Sequence, residues 1–212
     1  MVRRYPSREE AGRRLARSVG HLRGADTVVL ALPRGGLPVA REVARTLGAP
    51  LDVLVVRKLG VPWHPELAMG AIAEGGIQVL NDEVIRLAEI SAESIDQVRA
   101  REHVELERRG ALLRSGRERV ALGGRTAVIV DDGMATGATA AVACTAARAA
   151  GAARVVLAVP IASPEAVRRV AQDADEVICP WAPAGYDSVG AGYSDFHQLS
   201  DDEAARILRE ST

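Results

Sequence analysis

Lysine is almost missing from this chain: of 27 basic residues, 26 are arginine and only Lys58 is lysine. A compact, mobile ammonium is kept at one place, while rigid guanidinium forks serve everywhere else. That place is the predicted end of a strand, where sites form in open α/β sheets, so Lys58 is a candidate functional residue. An excess of either charge is missing too, the 212 residues netting −1. This leaves no electrostatic case for binding nucleic acid or a membrane surface. No apolar run is long enough to cross a bilayer, and the opening MVRRYPSREE lacks the apolar region of a secretory leader. Cysteine is scarce. Cys144 and Cys179 have no metal-ligand spacing and read as reduced, buried, structural thiols of a cytoplasmic protein. Aromatics number six, and four of them (Trp181, Tyr186, Tyr193, Phe196) cluster in residues 180–199.

What the chain does have is apolar material, 48% of its residues, enough for a real core at the size of one α/β domain. Short apolar runs alternate with helical patterns, which predicts a parallel, mostly doubly wound sheet. Helical periodicity covers residues 7–22, behind a Ser7 to Glu10 capping box. DTVVLAL (26–32) predicts a buried strand, followed by the turn Pro33-Arg34-Gly35-Gly36 and a helix over 38–47. A strand over 51–56 leads into Arg57 and Lys58. Residues 61–76 read as a loop with a short pair of strands around 67–73 and 77–80, and His64 and Glu66 lie in this region. Residues 83–114 are helical in composition, broken near Ile90 and recapped by Ser91. The second segment has a thin apolar stripe (Ile95, Val98, Leu106, Leu113) amid charge that reads as a solvated face; a subunit contact through the stripe is the alternative. Further strands are expected at 154–160 and 176–179. Helices are expected from Ser163 and over 200–209, the latter with a Ser200–Glu203 capping box.

The stretch around which the rest is organised is TAVIVDDGMATGATAA, residues 126–141. Four apolar positions make a buried strand, Asp131 and Asp132 stand at its end, and Thr136-Gly137-Ala138-Thr139 opens onto an Ala-rich helix. A strand, tight turn and helix start gather unpaired N–H groups and small hydroxyls around one point, which suits a phosphate. Gly137 and Ala138 keep side chains out of the way of that anion. Two aspartates cannot bind the same phosphate, but carboxylates accept well from vicinal hydroxyls. A phosphate beside a diol describes a ribose 5-phosphate. The PRGG turn repeats the geometry and predicts a second anion site, with Arg34 supplying charge.

Residues 127–139 resemble the signature of the type I phosphoribosyltransferases. The resemblance implies one phosphoribosyltransferase domain over 1–212, with a core at about 7–180 and a small C-terminal hood over 181–212. It implies transfer of ribose 5-phosphate from phosphoribosyl pyrophosphate (PRPP) to a nitrogenous base, with pyrophosphate released and Mg²⁺ assisting. Asp131 and Asp132 would hold the 2′- and 3′-hydroxyls; Ala135, Thr136, Gly137, Ala138 and Thr139 would cradle the 5-phosphate. Gly35 and Gly36 would form the pyrophosphate loop, with Arg34 and Lys58 as catalytic cations. A flexible loop would close from residues 61–76, and Tyr193, Phe196 and Trp181 are candidates to cover the base. Mg²⁺ would be held mainly through PRPP, with Asp131 and Asp132 contributing through water and no direct protein ligand. The family suggests a homodimer. Ala135 stands where 6-oxopurine enzymes generally place a third acid, which argues against such an acceptor. A PRPP-binding regulator without turnover is the alternative. An aspartate-dependent phosphohydrolase fits poorly, since its two acids would stand two residues apart rather than adjacent.

Overall fold

A computed structural model describes residues 4–24, 26–186 and 188–211; the expected domain span 1–212 also includes Met1 to Arg3, Ala25, Asp187 and Thr212, which lie outside the described residues. The central sheet has, in its middle strands, β-branched runs buried on both faces, as parallel strands require. Its strands are β1 (Thr27–Ala31), β2 (Leu51–Val53), β6 (Thr126–Val130), β7 (Arg154–Ala158) and β8 (Glu176–Ile178). They run parallel in the order β2-β1-β6-β7-β8, with Ala31 opposite Val53 on one side and Val130 on the other.

Alternation along the strands sorts the core into two layers. Val29, Ala31, Val128, Val130, Val156 and Ala158 pack with α1 (Arg8–Ser18), α2 (Gly36–Leu47) and α7 (Asp201–Arg209). Val28, Leu30, Ala127, Ile129, Val155 and Leu157 pack with α5 (Ala138–Ala149) and α6 (Pro164–Val170). The α5 residues turned inward are alanines and Cys144, which let that helix lie close to the sheet. Helices on both faces of a parallel sheet make the doubly wound α/β fold expected from the pattern.

Three details depart from the sequence reading. First, α1 ends at Ser18 and the expected last turn is a separate 3₁₀ turn, Gly20–Leu22. Ser7 accepts from the Glu10 N–H at 3.4 Å, but the Glu10 carboxylate goes to Arg13 and Arg14 instead of back to Ser7. At α7 the Ser200–Glu203 box closes from both sides.

Second, the strand expected over 51–56 is two strands in two sheets. β2 ends at Val53, and β3 (Val56–Val61) pairs with β4 (His64–Ala73), which pairs with β5 (Ile77–Leu80), in a three-stranded antiparallel arm. Lys58 therefore sits within β3 of the arm, opposite Ala71, and not at the end of a strand of the main sheet. The pairing is irregular at Gly60, where a bulge twists the hairpin tip.

Third, α4 (Ala92–Arg114), capped by Ser91 after the short α3 (Asp82–Leu87), buries its apolar stripe within the chain. Ile95, Val98, Leu106 and Leu113 join the core with β3 and α7. The stripe is thus spent on the fold, and the subunit-contact alternative for it falls.

The last residue of α4 joins the arm to the main sheet. Arg114 is buried, its Nε donating to Asp52 Oδ1 on β2 at 2.8 Å and its Nη2 to Glu74 Oε2, just past β4, at 2.9 Å. Nη2 also donates to the Val53 carbonyl at 2.7 Å, and Val55 N–H donates to Glu74 Oε2 at 3.2 Å. One guanidinium and two carboxylates thus tie β2 to the residue that follows β4.

Candidate functional site

In the strand order the chain leaves β1 towards β2 on one side and leaves β6 towards β7 on the other. The carboxyl ends of β1 and β6 therefore flank the switch point of the sheet, the crevice where ligands of open α/β folds sit. Both glycine turns singled out in the sequence leave from there. One runs from β1 through Pro33, Arg34 and Gly35 into α2; its Pro33–Arg34 peptide is cis. The other runs from β6 through Asp131 to Gly137 into α5.

The two turns touch. A Cβ placed on Gly35 would stand 2.1 Å from Asp132 Oδ2 and 2.6 Å from its Cγ. Only glycine lets the first turn lie against that carboxylate. In the second turn, Gly137 takes φ +76° as the residue before α5, a backbone state that other residues rarely adopt. Thr136, Ala138 and Thr139 are exposed and Ala135 is partly so, leaving the first turn of α5 open to an anion. The back of the loop is strapped to the chain after β7. Met134 N–H donates to Ile161 O at 3.0 Å, Ser163 N–H to Met134 O at 2.9 Å, and Ser163 Oγ to Ala135 O at 2.7 Å.

The two acids have different surroundings. Asp131 is partly exposed, and its Oδ1 accepts from the Asp132 N–H at 2.8 Å. Burial of the carboxyl group pushes Asp131 well above the usual carboxylate range, and the charge on Asp132 adds to that. Asp132 is buried; desolvation raises it, while the neighbouring Arg8 guanidinium pulls the other way. Arg8 Nε lies 2.8 Å from Asp132 Oδ2, and both side chains are nearly inaccessible. Arg8 was not singled out in the sequence, yet there was a signal. It shares the i, i+3, i+7 stripe with Ala11 and Leu15, so an arginine stood on the apolar face of α1.

The C-terminal segment lies over this corner. Tyr193 is buried, and its hydroxyl donates to the Asp132 carbonyl. Its ring stacks on Phe196 with centroids 5.2 Å apart, and Phe196 remains 38% exposed. Trp181 packs edge-on against Tyr5 at 5.6 Å. Of the three aromatic candidates, Phe196 is the most exposed, although the Arg8 guanidinium stands over its ring. Tyr186, also not singled out as a site residue, has a hydroxyl close to Gly133 that is buried without a hydrogen-bond partner among the described residues. The candidate cations are paired with other groups. Arg34 Nη1 reaches Asp201 Oδ1 on α7 at 3.5 Å, and Lys58 Nζ reaches the Glu66 carbonyl at 3.3 Å across the arm. Lys58 is about half exposed, and Glu66 almost fully so. Among the described residues no group of three or more His, Cys, Asp or Glu could hold a metal ion.

Comparison with known proteins agrees with this architecture. The family model described as "Phosphoribosyl transferase domain" matches residues 66–189. Chains from two strains of Mycobacterium tuberculosis, each named provisionally as a phosphoribosyl transferase, are 55% identical over 204 residues. That alignment covers 96% of this chain and 46% of each mycobacterial one, so the chain spans about half the length of the curated relatives it matches. The crystal structure of the TT1426 protein from Thermus thermophilus superposes with a TM-score of 0.87 at 43% identity, covering 98% of both chains. The chain belongs to the phosphoribosyl transferase family and has its type I fold. That is a family of enzymes.

Proposed function

We propose that this protein transfers the ribose 5-phosphate group of PRPP to a nitrogen nucleophile. The C1–oxygen bond to pyrophosphate breaks, a C1–nitrogen bond forms on the opposite face, and the nucleophile loses a proton. One observation carries the reading: two glycine turns, each opening a helix, meet at the switch point beside an adjacent acid pair. The first turn of α5 offers N–H groups and the Thr136 and Thr139 hydroxyls to the 5-phosphate. Asp131 faces the vicinal hydroxyls, and Asp132, held by Arg8, sits where Gly35 admits it. Backbone groups of Gly35 and Gly36 receive the leaving pyrophosphate. Arg34 and Lys58 supply charge to it on this reading, which requires Arg34 to leave Asp201 and the arm to bring Lys58 inward.

The acid pair is a hard-oxygen donor set too small for a protein cage, which fits Mg²⁺ that PRPP itself would largely hold, with Asp131 and Asp132 contributing through water. When bound there it would neutralise charge building on the leaving group. Ala135 supplies no acid to handle a base proton, which disfavours 6-oxopurine acceptors, and Phe196 offers the accessible ring for a planar acceptor. A homodimer, as the family suggests, completes the proposal.

The test is pyrophosphate release from PRPP and Mg²⁺ across a panel of nucleobases, run beside direct PRPP binding. Release with at least one base is the expected result; binding with no turnover on any base would instead favour the regulator. Asp131→Asn should weaken PRPP binding and leave inorganic phosphate binding nearly unchanged. Equal loss of both would contradict the diol assignment.

A further inference from the structure

We infer that Arg8 is a positioning residue that couples the C-terminal hood to the signature acid pair, so that grip on the ribose and cover of the acceptor act as one unit. This rests on the PRPP reading and deepens it. Arg8 is 7% exposed and is engaged on three sides at once. Its Nε meets Asp132 Oδ2 at 2.8 Å, and its Nη1 donates to the His197 carbonyl at 2.8 Å. The guanidinium carbon stands 3.9 Å from the centroid of the Phe196 ring. A second tie runs in parallel, since the Tyr193 hydroxyl donates to the Asp132 carbonyl and the Tyr193 ring stacks on Phe196. Side chain and main chain of the same aspartate are therefore both fastened to the segment that carries the accessible ring.

Two consequences follow from this arrangement. With one oxygen of Asp132 committed to a buried guanidinium, an anionic sugar phosphate approaches an acid pair of reduced net charge, and Asp131 is the member left to face the crevice. And because one planar cation touches both the acid and the Phe196 face, displacing that ring disturbs the carboxylate. In the second glycine turn Arg8 is bonded to Asp132. It works through Asp132 on one side and the hood on the other.

The experiment is calorimetric binding of PRPP and, separately, of inorganic phosphate to the full chain and to Arg8→Gln, Arg8→Lys, Phe196→Leu and the Arg8→Gln/Phe196→Leu double variant. Arg8→Gln should weaken PRPP binding by about tenfold or more while phosphate binding stays within about twofold. Arg8→Lys should recover part of that loss, since an ammonium can pair with Asp132 but lacks the fork and the flat face. Phe196→Leu alone should weaken PRPP binding several-fold, and should add little in the Arg8→Gln background. Independent, multiplying effects of the two substitutions would overturn the coupling, as would wild-type PRPP affinity in Arg8→Gln. Should Arg8→Gln fail to fold, the same cycle with Arg8→Lys in its place decides the matter. A wild-type chain that binds no PRPP overturns the PRPP reading and this inference together. A wild type that binds, with variants that bind equally well, overturns only this inference.

Discussion

Replacing Arg114 by methionine should cost more stability than any other single change at the junction of the arm and the main sheet. The guanidinium is buried between Asp52 and Glu74, themselves 3% and 6% exposed, and it also caps the Val53 carbonyl. Methionine fills similar space but leaves two carboxylates inside the fold with no cation. Breaking a buried pair by removing one partner costs about 3–5 kcal/mol. For a chain of this size each kcal/mol moves the melting temperature by about 2–4 °C, so Arg114→Met should melt about 6–20 °C lower. Thermal melts followed by circular dichroism at about pH 7.5 measure the difference. A melting point within about 2 °C of wild type would refute the claim that this guanidinium holds the junction.

Three further outcomes are expected. Gly35→Ala should destabilise by about 1–3 kcal/mol and weaken PRPP binding, because the new methyl group displaces the Asp132 carboxylate; Gly20→Ala, with nothing within 4 Å of its added methyl group, should stay within about 0.5 kcal/mol in the same urea titration. Lys58→Ala should lower turnover more than PRPP affinity in steady-state and binding assays, and unchanged turnover would take Lys58 out of the mechanism. Burial pushes the Cys144 thiol up to about 12, so at about pH 8 it is almost wholly protonated and should resist iodoacetamide until denaturant is added. Prompt alkylation of Cys144 in the native protein, read by peptide mass spectrometry, would contradict its placement on the inner face of α5.

The elements legible in the sequence are those whose pattern answers to a single packing rule. TVVLA, TAVIV and RVVLA are buried on both faces and read directly as strands, and the alanine-rich α5 reads as a helix pressed on a sheet. The signature loop was legible because its glycines and acids stand in fixed order along the chain. The arm was not. VRKLGV mixes charge, glycine and apolar residues without clean alternation, and its pairing with residues 64–73 depends on a bulge that propensity does not register. The partnership of Arg8 with Asp132 spans 124 residues of sequence. Its helical stripe marks Arg8 as turned inward, but only the folded chain shows which acid it meets. The same holds for Tyr193, expected as a platform for a base and found with its ring buried and its hydroxyl on the signature backbone.

The solitary lysine has a practical use. Apart from the α-amino group, Lys58 is the chain's one aliphatic amine, and it stands half in solvent on β3. Acylation of that amine by an activated ester removes its charge without any mutation, a chemical counterpart to Lys58→Ala, and a dye carried on the ester would report the hairpin's surroundings.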